Sequence, residues 1–133
     1  MRTEDLGKLI LRLTIGGLLL LHGISKVRTG IDWLPGALAA KSLPEILKWG
    51  VYVGELLAPV LVILGLFTRP AAFLILVNMA MATYIVKMDA IGGLNKGGGW
   101  NLELEALYGL GALAIMFLGA GKISLRGGTA KVD

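Results

Sequence analysis

Apolar residues fill four stretches of this chain, Leu6–Lys26, Ile46–Phe67, Ala71–Met88 and Leu102–Gly119, separated by segments richer in charge, glycine and proline. A hydrocarbon core of about 30 Å is crossed by about 20 helical residues rising 1.5 Å each, and all four stretches come close to that length. The pattern predicts an all-α integral membrane protein: a four-helix transmembrane bundle forming one domain over residues 1–133. An even number of spans places both termini on one side.

The connecting segments carry local signals. Ser42-Leu43-Pro44-Glu45 has capping-box spacing, which predicts Ser42 as the N-cap of the second helix. Thr68-Arg69-Pro70 is so short a turn that the second and third helices must be antiparallel neighbours. The longer connection 27–41 carries Trp33, Pro35-Gly36 and an alanine-rich piece, and is expected at the membrane interface with Trp33 and Trp49 as belt residues. The glycine-rich connection 89–100 is expected to be flexible, with Trp100 anchoring the fourth helix. Arg2 and Lys8 precede the first apolar run, but Glu4 and Asp5 interrupt the basic region and no small-x-small site follows. The run is therefore read as a retained span rather than a signal peptide.

Polar residues inside the apolar stretches stand out, because an ionisable side chain in hydrocarbon costs about 2.5–3.5 kcal/mol and normally faces protein or water. At 100° per residue, Lys8, Arg12, His22 and Lys26 fall within an arc of about 80°, one polar stripe that should face the bundle interior. Gly16 and Gly23 border the stripe and allow a neighbouring helix to approach. Glu55 lies near mid-membrane on the second stretch. Pro59, four residues on, has no N–H to give the Glu55 carbonyl. Gly50, Gly54 and Ala58 form a small-residue ridge beside it. Asn78 is the interior polar candidate of the third helix, which also contributes Tyr84, and Glu105 rather than Glu103 faces inward on the fourth. The candidate ligand or proton-relay set is Arg12, His22, Glu55, Asn78 and Glu105. A structural reading stands beside it: Arg12–Glu55 as an ion pair fixing helix register, His22 bonded to a carbonyl or to Glu105, and Lys8, Lys26 and Lys48 reaching for headgroups.

Composition narrows the chemistry. Hydrophobic residues make up 56% of the chain and mean hydropathy is +0.77, which leaves little sequence for a water-facing domain. The net charge of +4 comes from cations spread along loops and helix ends, so lipid headgroups rather than nucleic acid are the expected counter-charge. With no cysteine and one histidine, the chain encodes no thiol relay, no thiolate cluster and no bis-histidine haem. No metal site is expected, and a redox role would need a diffusible carrier or a partner's cofactor. Leaving out Arg12, Lys and Arg divide six against six between the two sides, so charge does not fix orientation.

The residues Leu11-Arg12-Leu13, His22 to Lys26, Gly54-Glu55-Leu56, Gly65 to Ala72, the glycine run before Trp100 and the closing Gly119 to Leu125 resemble the DoxX family of small four-helix membrane proteins. The resemblance implies a bacterial cytoplasmic membrane with cytoplasmic termini. Through relatives tied to the thiosulfate:quinone oxidoreductase membrane subunit, it also implies a connection to quinone. The chain departs from the pattern at Asn101, where an acid is common, at Lys87, where a histidine often ends the third helix, and at Arg126. Three functions are expected to compete: a quinone-interacting subunit of a redox assembly, a non-catalytic membrane anchor organising a peripheral oxidoreductase, and a small transporter built as a homo-oligomer.

Overall fold

The structure, a computed structural model, describes residues 2–133. Among the described residues the regular structure is helical, apart from one isolated antiparallel bridge between Leu94 and Trp100. Helix α1 is Thr3–Thr29, with Glu4 and Asp5 in its first turn and Lys26 and Arg28 in its last, as the helix dipole favours. Helix α2 is the short Leu34–Ala40, α3 is Glu45–Leu64, α4 is Thr68–Val86 and α5 is Glu103–Leu118. Helices α1, α3 and α4 are long and apolar enough to cross a membrane. Helix α5 has 16 residues, about 24 Å at 1.5 Å each, and completes the four-helix bundle as its shortest member.

Ser42 does not cap α3. Its N–H donates to the Ala39 carbonyl and that of Leu43 to Leu38, which closes the end of α2 with Ser42 in the left-handed region at φ 58°. An N-cap must be extended, so the demand of α2 for a C-terminal closure excludes the predicted capping box. Helix α3 starts instead after the extended Pro44. Its other end uses the same device with glycine: Gly65 at φ 75° donates to Val62, and Leu66 to Leu61. The reversal is therefore Gly65–Phe67, and Thr68-Arg69-Pro70, expected to be the turn, is already the first turn of α4.

Within α3 the residues Val53–Leu57 form a π turn, in which the Ala58 N–H reaches back to the Val53 carbonyl. The turn sits just before Pro59, where an N–H is missing from the ladder. Gly23 of α1 packs on the freed Glu55 carbonyl so closely that any Cβ there would collide with it. Gly16, two turns earlier, lies against Pro59 and Ile63. The expected close approach of α1 to α3 thus runs through both glycines.

The core gathers Ile15 and Leu19 of α1, Ala58 and Val62 of α3, Ala72, Ile75 and Met79 of α4, and Tyr108, Ala112 and Ile115 of α5. A second cluster places Ile31, Leu34 and Leu38 against Val51, Tyr52 and Ile85. The connection 27–41, expected to lie along the interface, therefore holds a helix that packs back on α3 and α4. Trp33 and Trp49 are exposed, as belt residues are. The connection 89–100, expected to be flexible, is tied down: Asn95 Oδ1 accepts from the Gly97 and Gly99 N–H groups, and Trp100 donates to the Ile91 carbonyl. In α1, α3 and α4 most apolar residues are exposed or only half-buried within the chain, as suits helices that cross a membrane.

Gly23→Ala should lower the unfolding midpoint in detergent by several degrees, because the new methyl group meets the Glu55 carbonyl. Gly17→Ala, with open space at its Cβ position, should be neutral or gain about 0.5–1 kcal/mol from the lost backbone freedom of glycine. Equal midpoints for the two variants would contradict the close contact.

Candidate functional site

The sequence stripe on α1 divides into two sites at different depths. Arg12, 1% exposed, donates from Nε to the Val62 carbonyl at 2.9 Å and from Nη2 to Ile63 at 2.8 Å. Its Nη1 donates to Ala120 at 2.8 Å and Ile123 at 2.7 Å. Val62 and Ile63 are in the last turn of α3, where the carbonyls carry the negative end of the dipole and, apart from the Gly65 N–H on Val62, are not served by the helix ladder. A guanidinium is suited to this position, since its planar fork serves several acceptors at once. The predicted Arg12–Glu55 pair does not form. Glu55 lies seven residues earlier on α3, about 10 Å along its axis, and Arg12 fastens the tail to the end of α3 instead.

Glu55, 3% exposed, takes Lys26 as its partner, with Nζ to Oε2 at 2.6 Å. Lys26 was expected to reach for headgroups. The buried arc of α1 explains the difference. Setting Lys8 at zero, the buried residues Arg12, Ile15, Gly16, Leu19 and Gly23 span about −20° to +80°. Lys26 at about 0° lies inside that arc, whereas His22 at about −40° lies on its rim. His22 is accordingly exposed, with its ring edge-on to Tyr108 at 5.7 Å between centroids and 79° between planes.

The Lys26–Glu55 pair separates two cavities. One, of about 200 Å³, lies between α2, α3 and α4, is lined almost wholly by apolar groups and includes Asn78 in its wall. Asn78 packs on Gly54, and its amide nitrogen is buried with no protein acceptor. Because Trp33, Val53, Leu74 and Val77 in the same wall are exposed, this pocket opens sideways toward lipid. The other cavity, about 90 Å³, lies between α1, α4 and α5 and is bordered by His22, Lys26, Glu55, Glu105 and Tyr108. Glu105 does not bond His22; its Oε1 meets Lys87 Nζ at 2.8 Å. The cation at the end of α4, where the family pattern often has histidine, is therefore the partner of Glu105.

The structure thus brings Glu55 and Asn78 to one pocket, sets His22 and Glu105 around the adjoining one, and places Arg12 in neither. Sequence reasoning missed Lys26, Lys87 and Tyr108 as members of the cluster. The azimuth of Lys26 within the stripe was a usable signal, and Tyr108 shares the Glu105 face of α5. Lys87 lies beyond α4, outside any helical periodicity.

On the side of the termini the tail folds over the bundle end. The buried Asp133 accepts from the Phe67 N–H at 2.8 Å and from Arg126 Nη2 at 2.6 Å, while its main-chain oxygen accepts from Ala120. The Arg126 hydrogen bond holds the Asp133 carboxyl below its ordinary range, against the opposing effect of burial.

The DoxX family pattern matches residues 7–88, which hold all but the first turn of α1 and the whole of α2 to α4, together with Arg12, His22, Lys26, Glu55 and Asn78. An uncharacterized protein of Haemophilus influenzae is 36% identical over 119 residues, covering 86% of this chain and 84% of its own length. No solved structure matches.

Arg12→Lys keeps the charge but loses the fork, and each buried carbonyl left without a donor costs about 1–3 kcal/mol. Unfolding in detergent should show a loss of at least about 2 kcal/mol; a variant as stable as the parent would contradict the clasp. For Asp133 the folded value is depressed, so its stabilisation is present above the ordinary carboxyl value of 3.8 and is lost as pH falls through the lowered one. The parent should therefore lose more stability than Asp133→Asn when taken from pH 6 to pH 3. Parallel pH profiles would rule this out.

Proposed function

The chain belongs to the DoxX family, and on that footing we propose that it is an integral membrane subunit of a quinone-linked redox system. The supporting observation is the Lys26–Glu55 pair in the wall of an apolar pocket open toward lipid. A carrier dissolved in the bilayer reaches such a pocket without crossing water. Lys26 and the unpartnered Asn78 amide are donors suited to ring carbonyl oxygens.

Glu55 holds or releases a proton at its carboxylate, and an intramembrane acid of this kind marks a proton pathway. His22, Tyr108 and Glu105 border the cavity on the other side of Glu55 and continue the polar path toward Lys87. A bound quinone would supply the two-electron, two-proton chemistry. Electrons come from an oxidoreductase partner, at a bacterial cytoplasmic membrane with both termini cytoplasmic. Arg12 takes no part in this chemistry, since four of its five N–H groups are occupied by main-chain carbonyls. That occupation is what favours the second reading, a non-catalytic organising subunit whose polar residues serve architecture.

Mass spectrometry of lipid-soluble molecules copurifying from native membranes separates the two. A quinone near one per chain is expected, reduced at least about tenfold in Asn78→Leu, which loses a hydrogen bond to a buried acceptor, and in Glu55→Gln, which removes the charge that positions the Lys26 donor. No quinone on a folded parent, or undiminished quinone on both folded variants, would favour the organising reading.

A further inference from the structure

We propose a second ligand site at the opposite end of the bundle, where the side of the termini grips an anionic phospholipid through its headgroup phosphate. A cleft of about 430 Å³ lies between the starts of α1 and α4, the end of α5 and the tail. Five cations line it: Arg2, Lys8, Arg69, Lys122 and Lys131.

The three acids in the same wall are already engaged. Glu4 pairs with Arg2 at 3.8 Å, and Asp5 Oδ1 accepts the Lys122 main-chain N–H at 3.3 Å. Asp133 is bonded to Arg126 and to the Phe67 N–H. Among the described residues Lys8, Arg69, Lys122 and Lys131 therefore form no ion pair with a carboxylate. Arg69 donates from Nη1 to the Met116 and Phe117 carbonyls, and its Nε is buried without a partner.

Position selects the source of the phosphate. The cleft sits at the ends of two membrane-crossing helices, the depth of lipid headgroups. Leu118 belongs to its wall and is 46% exposed, and the exposed Phe117, Leu110 and Leu107 continue from it down α5 as a track for an acyl chain. A soluble phosphate has no use for that track. The excess of positive charge also disfavours a zwitterionic headgroup, whose ammonium it repels, and selects a net-negative one such as phosphatidylglycerol.

The test is native mass spectrometry of the full chain in mild non-ionic detergent with equimolar phosphatidylglycerol and phosphatidylcholine. The parent should retain phosphatidylglycerol in preference. The double variant Lys8→Gln/Lys122→Gln should lose that preference by about tenfold or more, at roughly fivefold per surface lysine. Lys41→Gln/Lys48→Gln, at the other end of the bundle, should keep it. Equal retention of the two lipids, an unchanged preference in the cleft variant, or displacement of phosphatidylglycerol by millimolar inorganic phosphate would each overturn the lipid site. The last would reassign the cleft to free phosphate. None of these outcomes depends on the quinone pocket, which lies between α2, α3 and α4.

Discussion

A carboxylate in the middle of a bilayer must have a partner, and the placement of Glu55 sets much of the surrounding structure. Pro59 removes an N–H from α3, the helix widens into the π turn Val53–Leu57, and the Glu55 carbonyl is released toward α1. Gly23 is small enough to lie on that carbonyl, which brings the last turn of α1 near enough for Lys26 to meet the carboxylate at 2.6 Å. A proline, a glycine and a lysine from two helices thus serve one buried acid. The same turn carries Gly54 onto Asn78 and so shapes the apolar pocket on the far side.

The other buried charge works differently. Arg12 is held by four main-chain carbonyls, with no carboxylate within ion-pair distance among the described residues. A cation bound this way satisfies helix-end acceptors that hydrocarbon would leave bare. Its role is to join α1, the end of α3 and the tail at one level of the membrane. A carboxylate–ammonium pair and a guanidinium held by main-chain carbonyls therefore sit at different depths along the same polar stripe.

Much of this was legible in the sequence. Four apolar stretches located the bundle, and the 100° periodicity placed Gly16 and Gly23 beside the contact with α3. Pro59, four residues after Glu55, showed where the ladder of α3 lacks an N–H, and the π turn Val53–Leu57 lies just before it. The partners were misread because periodicity gives azimuth and not depth. Arg12 and Lys26 share a face of α1, yet only Lys26 is at the level of Glu55. Ser42 and Glu45 had the spacing of a cap, but that spacing does not register the competing need of α2 for a closure. The tail that receives Arg12 has no apolar period at all, so its carbonyls could not be foreseen as ligands.

The most direct test of the central claim is photolabelling of the full chain in native-lipid nanodiscs with an azido-quinone, followed by peptide mapping. The account predicts labels on the pocket-facing residues of α3 around Gly54 and of α4 around Asn78, competed away by unlabelled quinone. Labels spread over the outward faces of the helices, or labels that excess quinone does not displace, would contradict a quinone site at Glu55.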